Sequence, residues 1–248
     1  MSARAIDIQL VASTELIESC VADLYGTPNV DDQPSPGTTI AVDLEGINLC
    51  RDGQVCIVQL KSDTSKTVWL LNVTALGQTA FDHQDSHGRS IRTLLESTNI
   101  KKIFYDVRND ADALYNNHDI DMKSVCDLQI LELAYWRQSK WMRTIFLNGL
   151  YRAVTVYLSP PPEWRRVKDA GRALFSPEEG GSYEVLAKRP LDPQLLQYCA
   201  QDVVLLAELE AKLRTGLGSS GTNWNARVDT ASEKRVNEAK LSYRVPDG

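Results

Sequence analysis

The hydrophobic and polar positions fall into recognisable periods along most of the chain. From Ile6 to Tyr25, apolar residues recur at helical intervals (Leu10, Leu16, Ile17, Val21), which predicts a helix, and a Pro, Asp and Gly-rich loop follows to Gly37. The β-branched run TTIAVDLEG, residues 38–46, then predicts a strand that stops at a glycine. VCIVQL (55–60) and TVWLLNV (67–73) follow at hairpin spacing, so the three runs read as an antiparallel meander. Beyond a polar loop holding His83 and His87, the pattern alternates: helix near 90–97, strand 101–105, helix near 109–117, short strand near Ser124, helix from Asp127. Such alternation calls for parallel strands joined by helical crossovers.

The last third is less regular. Residues 159–184 carry a triple proline, a double glycine and no sustained period, which predicts a long connection with one short helix. Leu195, Leu196, Val203, Leu206, Leu209 and Leu213 predict one long amphipathic helix over 192–214, with Pro193 in its first turn. GLGSSG breaks it at 216–221, and a further helix is expected around 230–241. The division expected is an N-terminal helix and loop (1–37), a central domain (38–215) and a C-terminal extension (216–248).

Composition narrows the class. A chain of 248 residues with 43% hydrophobic and 24% charged residues can bury a sizeable core. Five cysteines without a CxxC pair argue against a disulfide framework and a zinc site, so an intracellular protein is expected, in cytoplasm or nucleus. A net charge of −6 argues against nonspecific coating of nucleic acid, which rests on Lys and Arg neutralising phosphates. It leaves room for a site where carboxylates gather cations and the cations meet phosphate.

Three short segments carry the candidate chemistry. Asp43 and Glu45, two apart on a predicted strand, project from one face, where a pair of ionised groups needs a counter-charge such as divalent cations; a solvated strand face is the simpler alternative. YDVRNDADAL (105–114) sits where a strand hands over to a helix, and Asp106, Asp110 and Asp112 all suit helix-start chemistry. In QYCAQDVVLL (197–206), Tyr198 and Asp202 are four apart on a predicted helix and share a face.

DLE, then YDVRNDADAL, then RPL followed by YCAQD resemble, in that order, the three exonuclease motifs of the ribonuclease D-like branch of the DEDD superfamily. The likeness runs from about residue 38 to 210. It implies an α/β fold with a ribonuclease H-like mixed β-sheet, three antiparallel strands then parallel α/β units, flanked by helices. It also implies 3'-5' exonuclease activity on nucleic acid with a free 3' end, RNA or single-stranded DNA, releasing nucleoside 5'-monophosphates. Two divalent cations, Mg²⁺ or Mn²⁺, would be held by Asp43, Glu45, Asp110 and Asp202; the resemblance selects Asp110 over its neighbours. Tyr198 places the chain in the tyrosine subclass, beside the attacking water. With an ordinary pKa near 10, its hydroxyl suits positioning better than proton abstraction. Tyr105 stands where many relatives have histidine and bears on how the substrate end is held.

Arg165, Arg166, Lys168 and Arg172, and also Arg137, Lys140 and Arg143, lie near Trp136, Trp141 and Trp164, a mixture suited to a single strand. Asp169, Glu178, Glu179 and Glu184 make 165–189 a mixed surface, so a solvated face is the favoured reading for any single residue and the expectation falls on the segment, not on named contacts. Asp127 is expected to cap a helix. The competing functional class is a catalytically weak exonuclease-fold scaffold that binds RNA or a protein partner.

Overall fold

The computed structural model describes residues 7–26, 38–140, 146–218 and 223–241; Trp141, Arg143 and the side chain of Lys140 lie outside the described residues. Six strands form one mixed sheet in the order β1-β4-β3-β2-β5-β6: β1 (Asp7–Val11), β2 (Thr39–Ile47), β3 (Gln54–Ser62), β4 (Thr67–Leu71), β5 (Lys101–Phe104) and β6 (Val125–Asp127). The expected meander β2-β3-β4 is antiparallel, and β5 and β6 are parallel to β2. Helices cover both faces, the ribonuclease H-like arrangement.

On one face lie α1 (Thr14–Tyr25), the short α2 (Val73–Leu76) and α3 (Thr79–Asp82), α4 (Ile91–Glu96) and α5 (Arg108–His118), over a core that includes Val42, Leu44, Leu60 and Phe104. On the other lie α6 (Leu128–Lys140), α7 (Leu150–Tyr157), α8 (Pro162–Phe175), α9 (Pro193–Val204) and α10 (Leu206–Leu217), over Ala41, Ile57, Leu70 and Ile103. The alternation of Ala41, Val42 and Leu44 between the two cores is the period-2 pattern of β2 made physical. α11 (Trp224–Glu238) packs on β6, α5 and α6. Among the described residues no helix is long and apolar enough to cross a membrane.

Three expectations are corrected. The predicted N-terminal helix is a strand and then a helix: Asp7–Val11 pairs in parallel with β4 at the sheet edge, and the helix starts only after Ser13, whose side chain accepts from the Leu16 amide. Ile8 and Leu10 obey period 2, but they also lie at helical spacing from the residues that follow. The supposed connection at 159–184 contains a 14-residue helix, α8, started by Pro161 and Pro162. Its buried positions are Trp164, Lys168 and Gly171, and a lysine and a glycine in that stripe hid the helical period. The single long helix at 192–214 is two, broken at Leu205 (φ −101, ψ 0), so that α9 lies on β2, β3 and β4 while α10 turns onto α6. Neither proline nor glycine marks that break.

Candidate active site

The site forms where β2 ends. Asp43 and Glu45 project from the face that α9 covers, and the register shifts immediately after Glu45. Gly46 permits this close approach: a Cβ there would stand 2.0 Å from the Gln54 carbonyl oxygen. From α9, Asp202 meets the strand pair, and one carboxylate oxygen from each of Asp43, Glu45 and Asp202 lies within 4.8 Å of the others. Asp110, 5% exposed in the first turn of α5, stands near enough for its charge to act on Asp43 and for Glu45 to act on it.

Asp106, Asp110 and Asp112 are now told apart by their partners. Asp112 receives Nε and Nη2 of Arg51 at 2.9 and 2.6 Å and the Arg51 amide at 2.7 Å. Asp106, in the left-handed region at φ 67, pairs with Arg108 at 2.7 Å and with Arg235 of α11 at 3.4 Å. No side chain or amide among the described residues donates a hydrogen bond to Asp110, nor to Asp43 or Glu45. The segment that bears Asp110 is held by Asp127, which is wholly buried. Its oxygens accept from the amides of Asp106 (3.0 Å) and Val107 (3.1 Å), from the Gln129 amide (2.9 Å), and from Arg235 (2.6 Å). The expected cap of α6 is therefore also the anchor of α5.

Crowding of like charge with little water has a direct electrostatic result. Burial pushes Asp43 well above the usual carboxylate range, with Asp202, Asp110 and Glu45 adding to it and Lys168 opposing. Burial and then Asp202 push Glu45 up to about 8. Burial, followed by Asp106, Glu45 and Asp127, raises Asp110, and burial raises Asp202 against the pull of Lys168. The Tyr198 phenol is also raised, by burial first and then by Asp202, Glu45 and Asp43, so it stays neutral at any ordinary pH. Clustered oxygen donors that resist ionising together, with the buried Oδ2 of Asp202 lacking any partner, fit hard divalent cations.

The remaining named residues are dispersed. Lys168 reaches Asp202 at 2.5 Å with its ammonium over the Tyr198 ring, 3.3 Å from the centroid. Arg165 is exposed on α8; Arg166 pairs with Glu163 and Arg172 with Glu179 at the surface. Tyr105 is buried, its hydroxyl bonded to Glu132 at 2.6 Å with the Asn148 carbonyl at 3.1 Å. The sequence reading missed Gln59, which pairs with Asp43 across β2 and β3 and is wholly buried with both amide atoms unpartnered. A lone glutamine inside the apolar run VCIVQL was the one signal for it. It also missed Arg51 and Arg235, whose partners are far off in sequence.

Comparison with known proteins places the chain in a family. The chain is 26% identical over 181 residues to the mouse piRNA biogenesis protein EXD1 and 25% identical over 175 residues to the human one, covering 71% and 70% of this chain. It spans only 29% and 32% of those relatives' lengths. Among solved structures, Trypanosoma brucei RNase D in complex with RNA U12 superposes with a TM-score of 0.75 at 21% identity, over 98% of this chain and 73% of that one. Brucella melitensis NrnC gives 0.63 at 18% identity, over 96% and 93%. The match to the 3'-5' exonuclease family runs over residues 9–217, from β1 to the end of α10, and takes in every carboxylate of the cluster: the chain belongs to the 3'-5' exonuclease family.

Proposed function

We propose that this chain is an active nuclease of the tyrosine subclass that removes nucleotides from the 3' end of RNA, releasing nucleoside 5'-monophosphates. The observation that carries the reading is the carboxylate set itself: Asp43, Glu45 and Asp202 converge, Asp110 stands near enough for its charge to act on Asp43, and among the described residues Lys168 supplies the one ammonium in contact with the set. A scaffold that only bound RNA would gain nothing from holding four acids against a phosphate chain. Divalent cations, when bound, would supply Lewis-acid polarisation of the scissile phosphate and of the attacking water. The chain's own residues do the rest. Asp43 and Glu45 would hold cations from the strand, Asp202 from α9 and Asp110 from the first turn of α5. Tyr198, kept neutral by burial and then by the acids around it, offers a hydroxyl that orients water and leaves proton removal to other groups. RNA is favoured over DNA because an RNase D of the same fold is seen with RNA U12 and with GMP, and because the relatives at 25–26% identity act in piRNA biogenesis.

The test is a 5'-labelled single strand, RNA beside DNA, incubated with Mg²⁺, Mn²⁺ or EDTA. The expected result is a ladder that shortens from the 3' end of RNA with either metal, absent in EDTA and lost in Asp43→Asn. Firm RNA binding with no trimming under either metal would favour the scaffold.

A further inference from the structure

Lys168 stands in a place that no surface role explains. It is 5% exposed, and both members of its ion pair with Asp202 have side chains only 6% exposed. The helix packing puts it there. Gly171 brings α8 onto α9 so closely that an added Cβ would lie 2.3 Å from the Tyr198 Cβ. One turn earlier on the same face of α8, Lys168 is then carried over the Tyr198 ring, and Asp202, one turn further along α9, receives the ammonium. Trp164, one more turn back and 4% exposed, closes the apolar side. The ammonium therefore reaches the acidic cluster from a fixed direction.

We propose that Lys168 is a resident cation of the site, standing on Asp202 in the metal-free protein and giving that carboxylate up when a divalent cation enters. The inference rests on the nuclease reading. Four carboxylates cannot stay together in a half-dry cleft without positive charge, and in the described residues Lys168 supplies the one ammonium in contact with them. Only Oδ1 of Asp202 is engaged, while Oδ2 is buried and unpartnered, so the residue is half neutralised and still open to a cation. A monovalent charge on a flexible stem holds the cleft in shape without filling it, and a divalent ion with several oxygen ligands displaces it. Lys168 is thus in competition with the metal for Asp202, the opposite of a residue that helps to bind it.

Competition is read from metal affinity. Mn²⁺ binding is measured by calorimetry and by electron paramagnetic resonance on the metal-stripped protein, wild type, K168M and K168R, with D43N as the control that should bind poorly. Removing a charge in contact with a metal-binding carboxylate should tighten Mn²⁺ binding about ten-fold in K168M, while K168R, which keeps the charge, stays near wild type. Unchanged or weaker binding by K168M, beside a wild type that binds, overturns the role of Lys168 and leaves the nuclease reading standing. Failure of both proteins to bind any Mn²⁺ overturns the nuclease reading, and this inference with it. If K168M does not fold, the wild type decides. Acylation of Lys168 by a small N-hydroxysuccinimide ester, mapped by mass spectrometry, should rise several-fold on adding Mg²⁺, and no rise overturns the proposal.

Discussion

Replacing Lys102 by methionine should stabilise the protein, and by an amount that depends on pH in a definite direction. Lys102 lies on β5 between Val125 and Ile40 of the flanking strands and has no accessible surface. Its ammonium donates to the Ser97 carbonyl at 2.5 Å, just beyond the end of α4, and has no carboxylate partner among the described residues. Burial lowers its pKa from 10.5 to about 7. For a lysine whose folded pKa is depressed, the unfolded chain binds the extra proton, so stability rises with pH through the window from about 7 to 10.5. A tenfold weakening of proton binding on folding costs about 1.4 kcal/mol, so the burden on the fold is about 5 kcal/mol below pH 7 and falls to about 1 kcal/mol at pH 10. Methionine fills nearly the same volume without a charge and gives up one hydrogen bond, worth about 1 kcal/mol. The net gain expected is about 3 kcal/mol at pH 7, or roughly 6 to 12 °C in the thermal midpoint for a domain of this size, vanishing near pH 10. Urea denaturation of both proteins at pH 6, 7, 8.5 and 10 measures it. A variant that is no more stable at pH 7, or whose advantage does not shrink toward pH 10, refutes the reasoning.

Four other substitutions separate holding the site from being the site. Asp112→Asn should cost about 1 to 3 kcal/mol by leaving the Arg51 guanidinium short of its bidentate partner, whereas Asp110→Asn should be neutral or stabilising yet lower nuclease activity at least ~100-fold; chemical denaturation and the trimming assay together check the contrast. Arg235→Met strips the counter-charge from wholly buried Asp127 and should cost about 3 to 5 kcal/mol, with activity falling as the anchored amides of Asp106 and Val107 loosen, measured by calorimetric melting and by trimming rate at saturating metal. Gly171→Ala should cost about 1 to 3 kcal/mol and slow trimming, because the new methyl must push Tyr198 aside; a variant with wild-type melting and rate would show that α8 and α9 separate freely.

What the sequence made legible follows the range of the forces concerned. β2, β3 and β4 were readable because β-branched runs and turn residues act within a few positions, and the same period placed Asp43 and Glu45 on one face. Tyr198 and Asp202 were readable for the same reason on a helix. The strand Asp7–Val11 was hidden because its pairing partner, Thr67–Leu71, lies far along the chain. α8 was hidden because its buried stripe serves the site as well as the core, so it carries Lys168 and Gly171 where leucines would be expected. The choice among Asp106, Asp110 and Asp112 was beyond any local rule. Arg51, which engages Asp112, lies 61 residues away, and Asp106 has Arg235 from 129 residues away besides its near neighbour Arg108.

That last point separates structural acids from the ones in the cleft. Among the described residues, each other buried acid has a donor of its own: Asp112 has Arg51, Asp127 has Arg235, Glu210 has Lys101 and Arg214, and Glu132 has Tyr105 and Asn148. Asp43, Glu45, Asp110 and Asp202 have Lys168 among them. The fold gives its other buried acids donors of their own, whereas these four share one ammonium. A deficit of donors around these four acids, bordered by the unpartnered Gln59 amide and by an Asp202 oxygen with nothing to accept from, works against the stability of the metal-free protein. Such a deficit is relieved when cations arrive from solution. On that argument the metal-free chain should be the less stable form, and its melting temperature should climb with Mg²⁺ concentration in the wild type and not in Asp43→Asn.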